Sequence, residues 1–350
     1  MKDAAAGRPV RVAVDLLGGD TAPHAVVDGA LLVADERPGV AVTLVGPVEQ
    51  AQTLLAERGA AGRFTLVAAS QVVEMTEDPA RAIRTKRDAT VRVASRLVRD
   101  GEADAVVSIG STGAALAAAV FTLGRVRGVS RPALAAIVPA AAGPLVLLDA
   151  GASTEATPEL LAQFALAGAA LATVRLGIES PRVGLLSVGQ EPGKGDELRK
   201  AAHAALSALP LRFVGNVEGG DVPNGGPADV VVTDGFTGNV LAKGLEGAAA
   251  MLTRVMLDAM SGVPELADGG AAQRAVAAAT AHMSPEALGG AVLMGVDGVV
   301  VVGHGASTPR AVAACIDTAA QAVTDGLVPR IGAALADLRT RSASSVQGSA

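Results

Sequence analysis

The sequence has almost no aromatic residues: five Phe, no Tyr and no Trp among 350 positions. Proteins that hold single-stranded nucleic acid stack its bases on aromatic side chains, so that class is excluded. A formal net charge of −6 argues equally against a general nucleic-acid partner. Cysteine is scarcer still. Cys315 is alone, which rules out an intrachain disulfide and a cysteine-cluster metal site. Its place among Ala and Val in a helical pattern marks a small core residue, not a nucleophile. The four His (His24, His203, His282 and His304) lack His-x-x-x-His spacing, so neither a zinc centre nor any other metal or cofactor is expected. Charged residues make up 18% of the chain, against about 25% in an average soluble protein, and 50% is hydrophobic, which favours a substantial core. The opening MKDAAAGRPV holds no apolar signal core. No uninterrupted apolar run reaches the roughly 18 residues that a bilayer span needs, so a cytosolic, soluble protein is expected. Three motifs are also missing. There is no G-x-x-x-x-G-K-[ST] phosphate loop, no G-x-G-x-x-G after the first strand and no G-x-S-x-G elbow, which leaves nucleotide binding and serine hydrolysis without support.

What the sequence does have is alternation. Near-continuous apolar runs at 10–15, 40–46, 64–68, 105–109, 134–139, 145–149, 182–187, 229–233 and 298–302 read as strands covered on both faces. Helical patterns lie between most of them, at 22–36, 48–58, 79–100, 158–176, 194–208, 239–260 and 308–325. This order gives an α/β fold with a mainly parallel sheet and helices on both faces. We expect a single large α/β unit over 8–338, a helical hairpin inserted at about 240–290, and a Ser-rich disordered tail at 339–350.

Ligands of such sheets bind at the carboxyl ends of strands. Five expected exits are rich in glycine and small polar residues. Asp15 leads to Gly18, Gly19 and Asp20; Ile109 leads to Gly110, Ser111, Thr112 and Gly113. Asp149 leads to Gly151 and Ser153, Asp234 to Gly235 and Asn239, and Val302 to Gly303, His304 and Gly305. Backbone N–H groups at helix starts suit phosphate or a developing oxyanion. On a parallel sheet the five would line one cleft, and the reading of the site rests on that convergence. His304 between two glycines stands out as a site residue. Lys194 and Lys243 are rare lysines that can neutralise a phosphate, and Asn239 can donate to an oxygen or serve as a plain helix cap. Arg81, Arg84, Lys86, Arg87, Arg92, Arg96 and Arg99 crowd one expected helix, either as a solvated face or as a dock for an acidic partner or phosphate.

In this order, over about 12–325, these segments resemble the PlsX family of phosphate acyltransferases of bacterial phospholipid synthesis. The resemblance is carried by Asp15–Asp20, by Pro79–Arg84 with Lys86–Asp88, and by Ala103–Ser108 with Gly110–Ala114. It continues through Arg131–Ala133, Leu148–Ala152, Gly215–Gly219, Asp234–Asn239 and Gly303–Gly305. It implies transfer of an acyl group from acyl-carrier protein to inorganic phosphate. It further implies an isocitrate/isopropylmalate-dehydrogenase-like fold, a homodimer, peripheral contact with the cytoplasmic membrane, and a downstream glycerol-3-phosphate acyltransferase that takes the product. Lys194, Asn239, Lys243 and His304 are then the expected catalytic set. Asp15, Gly18, Gly19, Asp20, Ser111, Thr112, Gly113, Asp234, Gly303 and Gly305 are expected to bind substrate, and Arg84, Lys86 and Arg87 to dock the carrier. Alternatives are a phosphotransacetylase-like enzyme that uses acyl-coenzyme A and a non-catalytic scaffold that docks the carrier. The chain departs from the family pattern at Leu17 (usually Met) and at Ser111 and Ser153 (usually Asn), and its acidic run is thinned to Gln190-Glu191-Pro192. Glu265 and Asp268 at the hairpin tip weaken attraction to anionic lipid, at about 1 kcal/mol per missing cation.

Overall fold

In the computed structural model, residues 7–261, 270, 274–276, 278 and 288–347 are described. The first half runs β1 (Val10–Asp15), α1 (His24–Glu36), β2 (Val40–Gly46), α2 (Val48–Glu57), β3 (Thr65–Ala68), α3 (Pro79–Thr85), α4 (Thr90–Arg99), β4 (Ala105–Ser108) and α5 (Thr112–Thr122). Then come β5 (Ala133–Val138), β6 (Leu145–Leu148), α6 (Pro158–Leu176), β7 (Arg182–Ser187), α7 (Glu197–Ser207), β8 (Arg212–Glu218) and β9 (Val230–Val232). The chain continues with α8 (Gly235–Ser261), β10 (Ala291–Met294), β11 (Val299–Val302), α9 (Pro309–Thr324) and α10 (Leu327–Gln347).

All the strands join one sheet, ordered β3-β2-β1-β4-β11-β10-β5-β6-β9-β7-β8. Its two faces are covered by different helices because alternate strand residues point to opposite sides. Val12 and Val14 of β1 pack with Val26 and Val27 of α1 and Val312 and Ile316 of α9. Ala13, between them, packs with Ile83, Ala94 and Ala118 of α3, α4 and α5. The expected α/β architecture with a mainly parallel sheet is present. α6 is apolar over 19 residues, long enough to span a bilayer, but 67% of it is buried in the core. Thr157 caps it by accepting from the Leu160 amide, and Gly177 ends it at φ +69°.

Three pairs of neighbours reverse the strand direction. β10 is antiparallel to both β11 and β5, and β5 is antiparallel to β6. The block β3-β2-β1-β4-β11 therefore runs one way and β6-β9-β7-β8 the other. This overturns the expectation that five exits line one cleft, and with it the five-exit site that rested on their convergence. The exits of β1, β4 and β11 lie along one edge of the sheet, and those of β6 and β9 along the opposite edge.

Three further differences bear on function. The basic stretch at 79–100 is two helices, not one. Ser70 donates twice to Asp88 Oδ2, each at 2.7 Å, and the Thr90 amide bonds to the Gln71 carbonyl, which draws the chain out of helix between α3 and α4. α10 reaches Gln347 in place of the expected unstructured tail, and 348–350 lie outside the described residues. The first arm of the expected hairpin is α8, whereas the second, at 271–283, falls largely outside them.

Asp104, just before β4, ties the N-terminal segment down. It accepts from the Arg11 amide at 2.9 Å, Arg11 Nη2 at 2.9 Å and Arg8 Nη2 at 2.8 Å. Burial opposes ionisation, but the two guanidiniums prevail and hold this carboxyl at about 2 instead of the ordinary 3.8. A folded value below the unfolded one means the stabilisation is complete above about pH 4 and lost as pH falls towards 2. Asp104→Asn is expected to be less stable at neutral pH and to show a flatter loss of stability over that window. Urea unfolding at several pH values checks this, and equal acid slopes in the two proteins would refute it.

Candidate functional site

At the first edge, three turns press backbone against backbone. A methyl group on Gly18 would sit 2.8 Å from the Gly110 amide nitrogen and 3.0 Å from Asp15 Oδ2. Gly19 has φ +97°, and a methyl there would be 2.9 Å from the Gly305 carbonyl oxygen. The Asp20 amide donates to that same oxygen at 2.8 Å. Gly303 is held against Ile109. The β1, β4 and β11 turns thus enclose a cleft of ≈ 100 Å³, whose lining includes Asp15, Gly18, Gly19, Asp20, Ser111 and Gly305. Drug-sized ligands occupy pockets of about 300–1,000 Å³, so this cleft suits a small ion or reacting group and not a nucleotide.

Two helices begin here, with Thr90 of α4 and Ala114 of α5 in the lining. Ser111 Oγ accepts from the Ala114 amide at 3.3 Å as the cap of α5. Thr112 and Gly113 supply the first amides of α5, which have no partner within the helix. Gly113 also lets α3 approach, since a methyl would meet Pro79 Cγ at 2.7 Å. His304 is exposed, and its Nδ1 accepts from the Ala306 amide at 3.2 Å. That bond puts the proton of the neutral ring on Nε2, making Nε2 a donor.

The lining contains Asp15, Asp20 and Glu74 but no Lys or Arg. Asp15 is buried, and burial pushes its carboxyl above the ordinary value against the pull of the Thr90 and Ser108 hydroxyls. Ser108 Oγ donates to it at 2.8 Å. A carboxyl raised in this way holds a proton more readily and can then donate to an oxyanion.

The opposite edge is built differently. Asp149 is fully buried and accepts four backbone amides, Leu134, Gly151 and Ala152 on Oδ1 and Ser153 on Oδ2, at 2.7–3.0 Å. α8 starts hard against this turn, where a methyl on Gly238 would fall 1.8 Å from the Asp149 carbonyl oxygen. Asp234 accepts from the Thr237 amide at 2.9 Å and the Thr237 hydroxyl at 2.8 Å, and pairs with Arg199. Burial pushes Asp234 up, yet Thr237 and Arg199 outweigh it and hold the carboxyl below the ordinary range. Asp234 is therefore satisfied internally. Asn239 Nδ2 donates to the Ala150 carbonyl at 3.1 Å, which is a clamp on the turn. Lys243 is paired with Glu246 at 2.7 Å on the exposed side of α8. The Lys194 ammonium makes no hydrogen bond or ion pair among the described residues.

The expected catalytic set is thus divided: His304 at the first edge, and Lys194, Asn239 and Lys243 at the second. Of the expected docking set, Lys86 Nζ is engaged by Glu77 Oε2 at 2.5 Å and by the Val72 carbonyl at 2.8 Å. Arg84 and Arg87 remain exposed. Sequence reasoning missed Arg199, whose only signal is its place three residues after the cap Asp196. Cys315 is buried as expected, with its thiol pushed up to about 12.

A family model described as "Fatty acid synthesis protein" matches residues 10–330. Among curated relatives, a phosphate acyltransferase of Desulfitobacterium hafniense is 42% identical over 323 residues, covering 92% of this chain and 96% of its own. One from Pelotomaculum thermopropionicum is 43% identical over 336 residues, covering 95% and 97%. Among solved structures, a phosphotransacetylase from Streptococcus pyogenes is similar with a TM-score of 0.62 at 18% identity, over 91% of this chain and 95% of that one. The EutD phosphotransacetylase from Staphylococcus aureus gives a TM-score of 0.60 at 15% identity, over 90% and 94%. At those identities the two structures bear on the fold alone.

Proposed function

We propose, from the premise that the chain belongs to the PlsX family of phosphate acyltransferases, that it moves a fatty acyl group from acyl-carrier protein to inorganic phosphate. The observation that carries this is the glycine-lined cleft at the exits of β1, β4 and β11, sized for a small oxyanion and open to two helix starts. A phosphate oxygen attacks the thioester carbonyl, a C–O bond forms, and the C–S bond breaks. The carrier sulfur leaves as a thiolate and takes the proton that hydrogen phosphate gives up. The Thr112 and Gly113 amides and His304 Nε2 supply donors for oxygen charge. Bringing nucleophile and carbonyl together supplies much of the acceleration, because positioning alone is worth several kcal/mol.

This reading places Lys194, Asn239 and Lys243 outside the chemical step, since an opposite sheet edge is out of reach of the same phosphate. We also read the apolar face of α8, with Phe236, Val240, Met251, Leu252, Val255 and Met256 exposed, as the surface for a homodimer or for peripheral contact with the cytoplasmic membrane. The product is an acyl phosphate, a substrate for a downstream glycerol-3-phosphate acyltransferase. The test is acyl phosphate formation from a long-chain acyl-carrier protein and from the same acyl-coenzyme A at equal concentration. A higher kcat/KM with the carrier donor is expected. Preference for coenzyme A would instead make this a phosphotransacetylase-like enzyme, and carrier binding without turnover would make it a scaffold.

A further inference from the structure

A second, wider groove lies outside the cleft. It has a volume of ≈ 490 Å³ and is lined by Ile83, Arg84, Arg87, Arg92, Arg96, Arg99 and Phe121. Among the described residues only Arg99 has an ion-pair partner there, Asp100 at 2.8 Å. Arg84, Arg87, Arg92 and Arg96 form no ion pair among the described residues. They are held in place chiefly by carbonyls and an aromatic ring, with Asp88 and Asp100 acting on Arg96 only from a distance. Arg92 Nη1 donates to the Ile83 carbonyl at 2.6 Å, Arg96 Nη1 donates to the Arg87 carbonyl at 3.1 Å, and Arg84 stacks over Phe121 at 4.7 Å. Partial burial, helped by the neighbouring guanidiniums of Arg96, Arg87 and Arg99, pushes Arg92 below its ordinary value. Phe121, 47% exposed, gives the groove an apolar floor.

The break between α3 and α4 creates this groove, because one continuous helix would carry the arginines around its circumference. Arg92, Arg96 and Arg99 instead form a row about 10 Å long on α4, faced by Arg84 and Arg87 from the end of α3. Five guanidiniums spread over that length exceed what one phosphate can satisfy. They match a helix that presents carboxylates at the same i, i+4, i+7 spacing. The groove and the cleft are built on the same two helices. Thr90 lines the cleft two residues before Arg92, and Ala114 lines it about 10 Å along α5 from Phe121.

The geometry points to this groove as the docking surface for an acidic helix of the carrier protein, with Arg87, Arg92 and Arg96 as its charged contacts and Phe121 as its apolar anchor. This deepens and rests on the acyl-carrier reading above. From there the thioester arm needs to cover only the length of α5 to reach the cleft.

The experiment compares the wild type with Arg87→Glu/Arg96→Glu on two donors, acyl-carrier protein and the same acyl group on pantetheine, which lacks the carrier's charge. The variant is expected to raise KM for the carrier donor about tenfold with kcat within about twofold, to leave pantetheine kinetics unchanged, and to lose the wild type's salt sensitivity. Arg96→Gln, milder for folding, is expected to raise KM about threefold. Unchanged carrier KM in both variants overturns the assignment, as does equal impairment on both donors. Loss of binding to phosphatidylglycerol vesicles with unchanged carrier KM overturns it in favour of a lipid surface. If the wild type makes no acyl phosphate from either donor, the functional reading fails, and direct titration with carrier protein still judges the groove by the same tenfold weakening.

Discussion

Replacing Gly18 by alanine is expected to lower kcat/KM by about 100-fold or more while the protein stays folded. The new methyl would meet the Gly110 amide nitrogen at 2.8 Å, and that atom is backbone, so it cannot swing aside as a flexible side chain could. One of the two turns has to move. Overpacking of this kind costs about 1–3 kcal/mol, which a chain of this size survives. Catalysis is less tolerant, because displacing a reacting group by about 1 Å can cost a hundredfold. Gly110→Ala is a milder case, its nearest neighbour being Gly18 Cα at 3.3 Å. Lys243→Ala serves as the control from the opposite edge and is expected to leave kcat/KM unchanged, since Lys243 is paired with Glu246 on the exposed side of α8. Steady-state kinetics beside thermal unfolding separates the outcomes. Full activity in Gly18→Ala, or a hundredfold loss in Lys243→Ala, would move the chemical step away from the β1-β4-β11 edge.

Asp149→Asn is expected to destabilise the fold by about 3 kcal/mol. The carboxylate takes three amides on one oxygen and one on the other, all within a buried turn. Asparagine keeps the shape but turns one acceptor into a donor, so in either orientation at least one buried N–H faces another N–H. An unsatisfied buried donor costs about 1–3 kcal/mol, and the remaining bonds lose their charge-assisted strength. The damage spreads because α8 starts on this turn, with Gly238 against the Asp149 carbonyl and Asn239 clamped to Ala150. Urea unfolding should show a lower midpoint at unchanged slope. A midpoint equal to that of the wild type would mean that the four amides find other acceptors, and the description of Asp149 as the hub of that edge would be wrong.

The layered architecture was legible because its cause is local. Cores such as Val12–Val14 and Val299–Val302 are apolar and buried throughout, which is what burial on both faces demands, and they fall where expected. Strand direction was not legible for the same reason. With no period-two pattern, nothing in Leu145–Leu148 tells a parallel neighbour from an antiparallel one, and Ala291–Met294 is not among the strands expected from the sequence at all. Yet the antiparallel pairings of β5 and β10 decide which exits share an edge. His304 and the glycines at 18, 19 and 110 were recognisable because close backbone approach leaves glycine as the workable residue. Lys194, Lys243 and Asn239 were chosen on residue type, which carries no information about sheet edge, and the structure places them at the edge opposite His304. The break between α3 and α4 has no Gly or Pro to announce it. It depends on Asp88 reaching Ser70, a contact across 18 residues of sequence. The groove of arginines exists through that break, so its place was legible as a charge cluster but its shape was not.

The measurement that bears most directly on the transfer itself is release of free carrier thiol from long-chain acyl-carrier protein, followed with and without inorganic phosphate, with hydroxylamine trapping of acyl phosphate in parallel. Thiol release that requires phosphate and matches trapped acyl phosphate one for one is the expected result. Release at the same rate without phosphate, or none with it, would contradict the account.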